Sequence, residues 1–134
     1  MVILSRTFIA VTSCLLASAA LAQSPQAAPN PIGVWRGTSL CLVHPSACND
    51  ERVVYRITRM RAPDSLSLDA QKIVNGQAQD MGILACRVTT SGAQVTCTIP
   101  HGTWRFSIRG DSLVGELRQP DGTKFRDVRT ARSH

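Results

Sequence analysis

Cys86 and Cys97 lie symmetrically about Ser91-Gly92, and that symmetry constrains the fold more than anything else in the chain. A turn at Ser91-Gly92 sets the register of two antiparallel strands over residues 83–99. It pairs Thr90 with Ala93, Val88 with Val95 and Cys86 with Cys97. The two cysteines then face each other on the side that carries both valines, while Arg87, Thr89, Gln94 and Thr96 occupy the other side. One assumption thus yields an oily face, a wet face and a cross-strand disulfide.

The neighbouring segments obey the same two-residue period. A turn at Gly110-Asp111 pairs Ile108 with Leu113, Phe106 with Gly115 and Trp104 with Leu117, and sets Arg105 opposite Glu116 on the outer face. The run Gln119-Pro120-Asp121-Gly122-Thr123 suits a type I turn with a glycine bulge. Its three-residue loop pairs Leu117 with Phe125 and Glu116 with Arg126, and points Asp127 and Arg129 inward. Upstream, residues 33–42 form a strand with Trp35 inward, and residues 52–61 one with Val53, Tyr55 and Ile57 on a common face. Asn75-Gly76 favours a type I′ turn between residues 65–74 and 77–81. That register turns Ile83 inward, whereas the cysteine hairpin turns Leu84 inward, so a bulge near Gly82 is required. The sum is an all-β chain of about eight short strands, and closure into a small antiparallel up-and-down barrel removes its edges.

The segment before the first strand has a different character. One positive charge at Arg6 precedes an apolar run over residues 7–21 that ends in Ala20-Leu21-Ala22. This is the pattern of an export signal over residues 1–22. Val11-Thr12-Ser13-Cys14 also fits a lipoprotein cleavage box, which would place a lipid on Cys14. Residues 23–31 (QSPQAAPNP) read as a disordered linker, and residues 32–131 as the barrel domain. Cleavage after Ala22 leaves four cysteines, and an even number in an exported chain reads as two disulfides, Cys41–Cys48 and Cys86–Cys97. Each is expected to contribute on the order of 2–3 kcal/mol. Without Arg6 the chain keeps 14 of its 15 basic residues against 9 acidic ones, a net charge of +5. Arg36, Arg52, Arg56, Arg87, Arg105 and Arg109 fall on the outer face, where they form a solvated wall. No base-stacking aromatic pattern accompanies them, so nucleic acid is not an expected partner.

Gly33-x-Trp35 on the first strand, with Arg129 aimed inward from the last, resembles the calycins, the group of lipocalins and avidins. In them a tryptophan of the first strand is covered by a basic side chain from the last. The resemblance spans residues 32–131, including the final run TWRFSIRGDSLVGELRQPDGTKFRDVRTAR. In length the domain is closer to an avidin, or to the bacterial periplasmic metalloprotease inhibitors, than to a lipocalin. It implies a monomeric exported barrel with a ligand at one end. Biotin binding is not carried over, because the interior offers as aromatics only Trp35, Tyr55, Trp104, Phe106 and Phe125.

Candidate chemistry is sparse. Cys41-x-x-His44-x-x-x-Cys48 has spacing that zinc or copper could use, but an oxidising compartment and the absence of a fourth ligand nearby favour a disulfide. His101, between Pro100 and Gly102, has no nucleophile or carboxylate set beside it by the strand pairing, and reads as a solvated loop residue. Neither a cofactor nor catalysis is expected, since no nucleophile, carboxylate pair or metal cluster falls at usable spacing. Trp35, Tyr55, Trp104, Asp127 and Arg129 are core residues first and ligand contacts second. The leading expectation is a non-catalytic exported module holding a small apolar or amphipathic ligand. The alternative is a protein-interaction module, such as a protease inhibitor acting through residues 23–31.

Overall fold

The structure, a computed structural model, describes residues 20–25 and 27–134. Most of the expected export signal and the whole lipoprotein-type box lie outside the described residues. Eight strands follow one another: β1 (Gly33–Cys41), β2 (Glu51–Arg59), β3 (Ser65–Val74), β4 (Gln77–Val88), β5 (Gln94–Ile99), β6 (Gly102–Arg109), β7 (Ser112–Arg118) and β8 (Lys124–Ser133). Each pairs antiparallel with the next and β8 returns to β1, closing the barrel.

The turns deliver the expected registers. Cys86 pairs with Cys97 and Val88 with Val95, and the disulfide Cys86–Cys97 spans a Cα–Cα distance of 4.2 Å. The expected Thr90–Ala93 pair does not form: the turn has four residues rather than two, with Thr89 N–H donating to Gln94 O and Gly92 N–H to Thr89 O, and it leaves the register of the strands unchanged. Ile108, Phe106 and Trp104 meet Leu113, Gly115 and Leu117 as the Gly110-Asp111 turn requires. Asn75 and Gly76 both take positive φ, 51° and 77°, which is the type I′ geometry, and they join Val74 to Gln77. The irregularity needed near Gly82 is present: Ala70 faces Gly82 and Gln71 faces Asp80, so Met81 is the extra residue. Leu84 accordingly meets Leu68 inside, and Ile83 stands 70% exposed outside.

The last strand departs from the sequence expectation. Arg118 pairs with Lys124 as the turn demands, but Leu117 then pairs with Arg126 and Glu116 with Asp127, leaving Phe125 over. This bulge reverses the parity of β8, so that Val128 and Thr130 are buried and Arg129 is exposed. The physical reason is the cost of two interior charges, which inward Asp127 and Arg129 would have imposed. Thr130 satisfies its hydroxyl by donating to Leu113 O at 2.8 Å.

Trp35, fully buried, plugs one barrel end. The basic side chain covering it is Arg132, not Arg129, with the guanidinium carbon 4.2 Å from the ring centroid. Arg132 pairs across β1 with Trp35 itself and reaches Asp111 at 3.1 Å. Its two terminal nitrogens donate to Ile32 O and Asn30 O, both at 2.6 Å. Trp35 Nε1 donates to Pro31 O at 2.8 Å, and Pro31 is buried. The final residues of the sequence-read linker are thus bound across this end as a lid.

Candidate functional site

The opposite end of the barrel is open. Its rim is formed by the β1–β2 loop and the β3–β4, β5–β6 and β7–β8 turns. The disulfide Cys41–Cys48 closes the loop between β1 and β2, so Cys41 and Cys48 are not metal ligands. His44 lies inside that loop, 3.0 Å through Nε2 from Cys41 O, and Asp50 accepts from Cys41 N–H at 2.8 Å. His101 is exposed in the β5–β6 turn, in a surface recess shared with Pro120 and Asp121.

Below this rim lies a cavity of about 270 Å3. Leu68, Ala70 and Leu84 line one side, with Met81 and Gly82 of the bulge above them. Trp104 and Phe106 of β6 form the facing wall, stacked with centroids 5.7 Å apart and planes within 6°. Tyr55 meets Phe106 edge-on at 5.8 Å, which is a favourable aromatic arrangement. The walls are therefore largely apolar and aromatic, with a polar sector confined to Ser39, Glu51, Arg126 and the Tyr55 phenol.

That sector is ordered by Arg126, whose side chain is only 13% exposed. Its Nη1 lies 3.5 Å from Glu51 and donates to Ser39 Oγ at 3.2 Å and Asn49 O at 3.1 Å. Lys72 approaches Glu51 from the other side, at 3.8 Å. Burial pushes the Tyr55 phenol well above its ordinary range, against the pull of the Ser39 hydrogen bond and the Arg126 charge. Burial therefore favours the neutral, protonated phenol.

Of the residues expected at a ligand site, Tyr55 and Trp104 line this cavity. Trp35 is at the other end, beneath Arg132. Asp127 and Arg129 lie on the outer wall, where Asp127 pairs with Lys124 at 3.1 Å and with Arg129 at 3.7 Å. Arg126, Glu51 and Ser39 were not foreseen. Putting Val128 on the inside face would have found Arg126, two residues earlier and of the same parity.

A larger groove of about 490 Å3 runs over the outer wall, but its side chains are mostly polar: Gln94, Thr96, Arg105, Ser107, Glu116 and Asp127. Glu116 does not bridge to Arg105 across the register; it bonds Arg118 at 2.7 Å and lies 3.6 Å from Lys124. The hydrogen bond from Arg118 holds the Glu116 carboxyl below its ordinary value of 4.5. Because the folded state lowers this value, the stabilisation is complete above the unfolded value and is lost as pH falls through the folded one. Carboxyl-carbon NMR should place the Glu116 midpoint below 4.5, and Arg118→Ala should move it upward. An unchanged midpoint in that variant would show the bond to be idle in solution.

Among the described residues, no three His, Cys, Asp or Glu side chains gather as metal ligands, and no helix is long and apolar enough to cross a membrane. Compared with protein-family models, curated proteins and solved structures, the chain matches none.

Proposed function

We propose that this protein is an exported, monomeric, non-catalytic barrel of the calycin type that holds a small apolar or amphipathic molecule in its open end. The observation that carries the reading is the 270 Å3 cavity with aromatic walls and one polar sector. Sites for small ligands are concave and mostly apolar, with a few fixed polar groups that set orientation. The volume lies just under the usual range of about 300–1,000 Å3, which favours a ligand of one or two rings or a short chain. The calycin assignment is supported by the closed meander and by the tryptophan of β1 lying under an arginine of β8. Export to the periplasm or beyond is supported by two disulfides, which persist in oxidising compartments.

Calorimetric titration of the mature chain with 2-naphthoate and with decanoate tests the proposal. One-site binding with a negative heat-capacity change is expected from burial of apolar surface. Leu84→Trp, which fills the cavity, should weaken binding roughly tenfold or more, a loss of about 1.4 kcal/mol. Arg129→Ala, on the outer wall, should leave it unchanged. Absence of saturable binding by either probe, or indifference to Leu84→Trp, would exclude the reading.

A protease-inhibitor reading would use residues 23–31 as an inserted segment. Asn30 and Pro31 are hydrogen-bonded to Arg132 and Trp35, so such a mechanism would have to rely on residues 23–28. Deleting 23–28 and measuring inhibition of a co-secreted protease tests it.

A further inference from the structure

The seam between β4 and β5 differs from every other in the barrel. Three residue pairs join these strands, Cys86↔Cys97, Arg87↔Thr96 and Val88↔Val95, whereas the remaining seams carry between six and ten. β5 pairs all six of its residues with β6, but only Val95, Thr96 and Cys97 pair with β4, so Thr98 and Ile99 leave the 12-residue β4 beyond the cysteine pair. Residues 77–80 and 82–85 of β4 are paired with β3 on one side and, among the described residues, have no register partner on the other.

The direction of the free groups follows from the ladder. Val88 N–H donates to Asp64 O, on the β3 side, and Thr89 N–H donates to Gln94 O, on the β5 side. Main-chain groups alternate direction along a strand, so Leu84 bonds toward β3 and Ile83 presents its N–H and C=O to the open edge. Nothing blunts that edge except the bulge at Met81: residues 77–85 contain no proline and no lysine, and Asp80 is their single charge. Ile83 is 70% exposed and Met81 39%.

Both faces of the seam are hollow. On the inside lies the cavity, bounded here by Met81, Gly82, Leu84, Ile99 and Trp104. On the outside a second recess of about 360 Å3 runs past Met60, Ala85, Arg87, Thr96 and Thr98. A strand sends successive side chains to opposite faces. Main-chain groups awaiting partners, with a pocket on each side of their line, form the pattern that strand addition uses.

We propose that the free edge of β4 around Ile83 accepts an extended peptide as an added strand, with one apolar side chain entering the cavity and its neighbour lying in the outer recess. The proposal shares the cavity with the function proposed above, and rests on that reading only for the side-chain pocket. The occupant is a peptide rather than a second copy of this chain. A copy would bring β3 and the rest of its barrel behind its own edge, whereas 270 Å3 receives a side chain. Low edge charge fits an uncharged, β-branched segment, with a basic residue favoured opposite Asp80.

The test is fluorescence anisotropy of the mature chain with a fluorescein-labelled octapeptide that alternates threonine with valine or leucine between terminal lysines. Saturable binding is expected, with the Ile83 amide gaining protection from hydrogen exchange. Ile83→Pro removes the free donor without taking a bond from β3, and should weaken binding roughly tenfold or more. Ile83→Thr keeps the donor and should bind within about threefold of the parent. Should Ile83→Pro fail to fold, Ile83→Lys gives the same reading by charging the edge. No binding of the octapeptide, equal binding by the folded edge variants, or a dimer in native mass spectrometry that Ile83→Lys abolishes would each overturn the proposal. Titration of the same variants with 2-naphthoate separates the two readings: probe binding without peptide binding sinks the added strand alone, and peptide binding without probe binding sinks the small-ligand function alone.

Discussion

Replacing Cys86 and Cys97 together by alanine is expected to lower the unfolding free energy by about 3–5 kcal/mol. The two residues are 11 apart, and for a loop of that size the restriction of the unfolded chain accounts for about 3 kcal/mol. The remainder comes from position. Cys86 and Cys97 are both buried in the core, at 4% and 0% exposure, and their sulfurs fill space that alanine leaves empty. They also terminate the shortest seam of the barrel, where three residue pairs are all that join β4 to β5. For a domain of this size the loss corresponds to a fall in melting temperature on the order of 15 °C. The matching pair Cys41→Ala and Cys48→Ala provides the control. Its loop is shorter, with a separation of 7 against 11, and it closes a rim loop and joins no strands of the barrel wall. Urea titration should show the smaller loss for that variant, on the order of 2 kcal/mol. Equal losses in the two variants would mean that the seam does not depend on its cysteine pair.

How far the fold was legible in the sequence depended on where the information sits. Ser91-Gly92, Gly110-Asp111 and Asn75-Gly76 fixed their hairpins because a turn determines the parity of everything beside it, and each register is realised. The conflict between Ile83 and Leu84 announced a bulge, although the turn residues could not say that Met81 is the surplus one. The bulge at Phe125 gave no such warning, since no second turn beyond it tested the register. Only the inward charges of the unbulged reading hinted at an error. That single residue decided the site: it moved Asp127 and Arg129 to the outer wall and brought Arg126 to the cavity. The lid of residues 29–32 was illegible for another reason. Its hydrogen bonds to Arg132 and Trp35 run through main-chain carbonyls, which every residue has, so QSPQAAPNP carries no pattern to read.

Trp35→Ala is expected to cost about 4 kcal/mol, the usual range for emptying a buried aromatic position being about 3–5. Trp35 is fully buried, donates to Pro31 O and supports the Arg132 guanidinium on its ring, so its loss removes the plug and the anchor of the lid together. Arg132→Ala should cost about 2 kcal/mol, from the cation–π contact and from two carbonyls, Asn30 O and Ile32 O, deprived of their donor. Arg129→Ala should stay within about 0.5 kcal/mol, because its side chain is 77% exposed and makes one long surface contact to Asp127. Urea unfolding of the three variants gives the ranking, and limited proteolysis gives an independent sign, since freeing the lid should speed cleavage near residues 29–32 in Trp35→Ala and Arg132→Ala only. The ranking of the two arginines is the sharper half of the prediction. Were β8 threaded without the surplus Phe125, Arg129 would lie inside and Arg132 outside, and the two costs would change places.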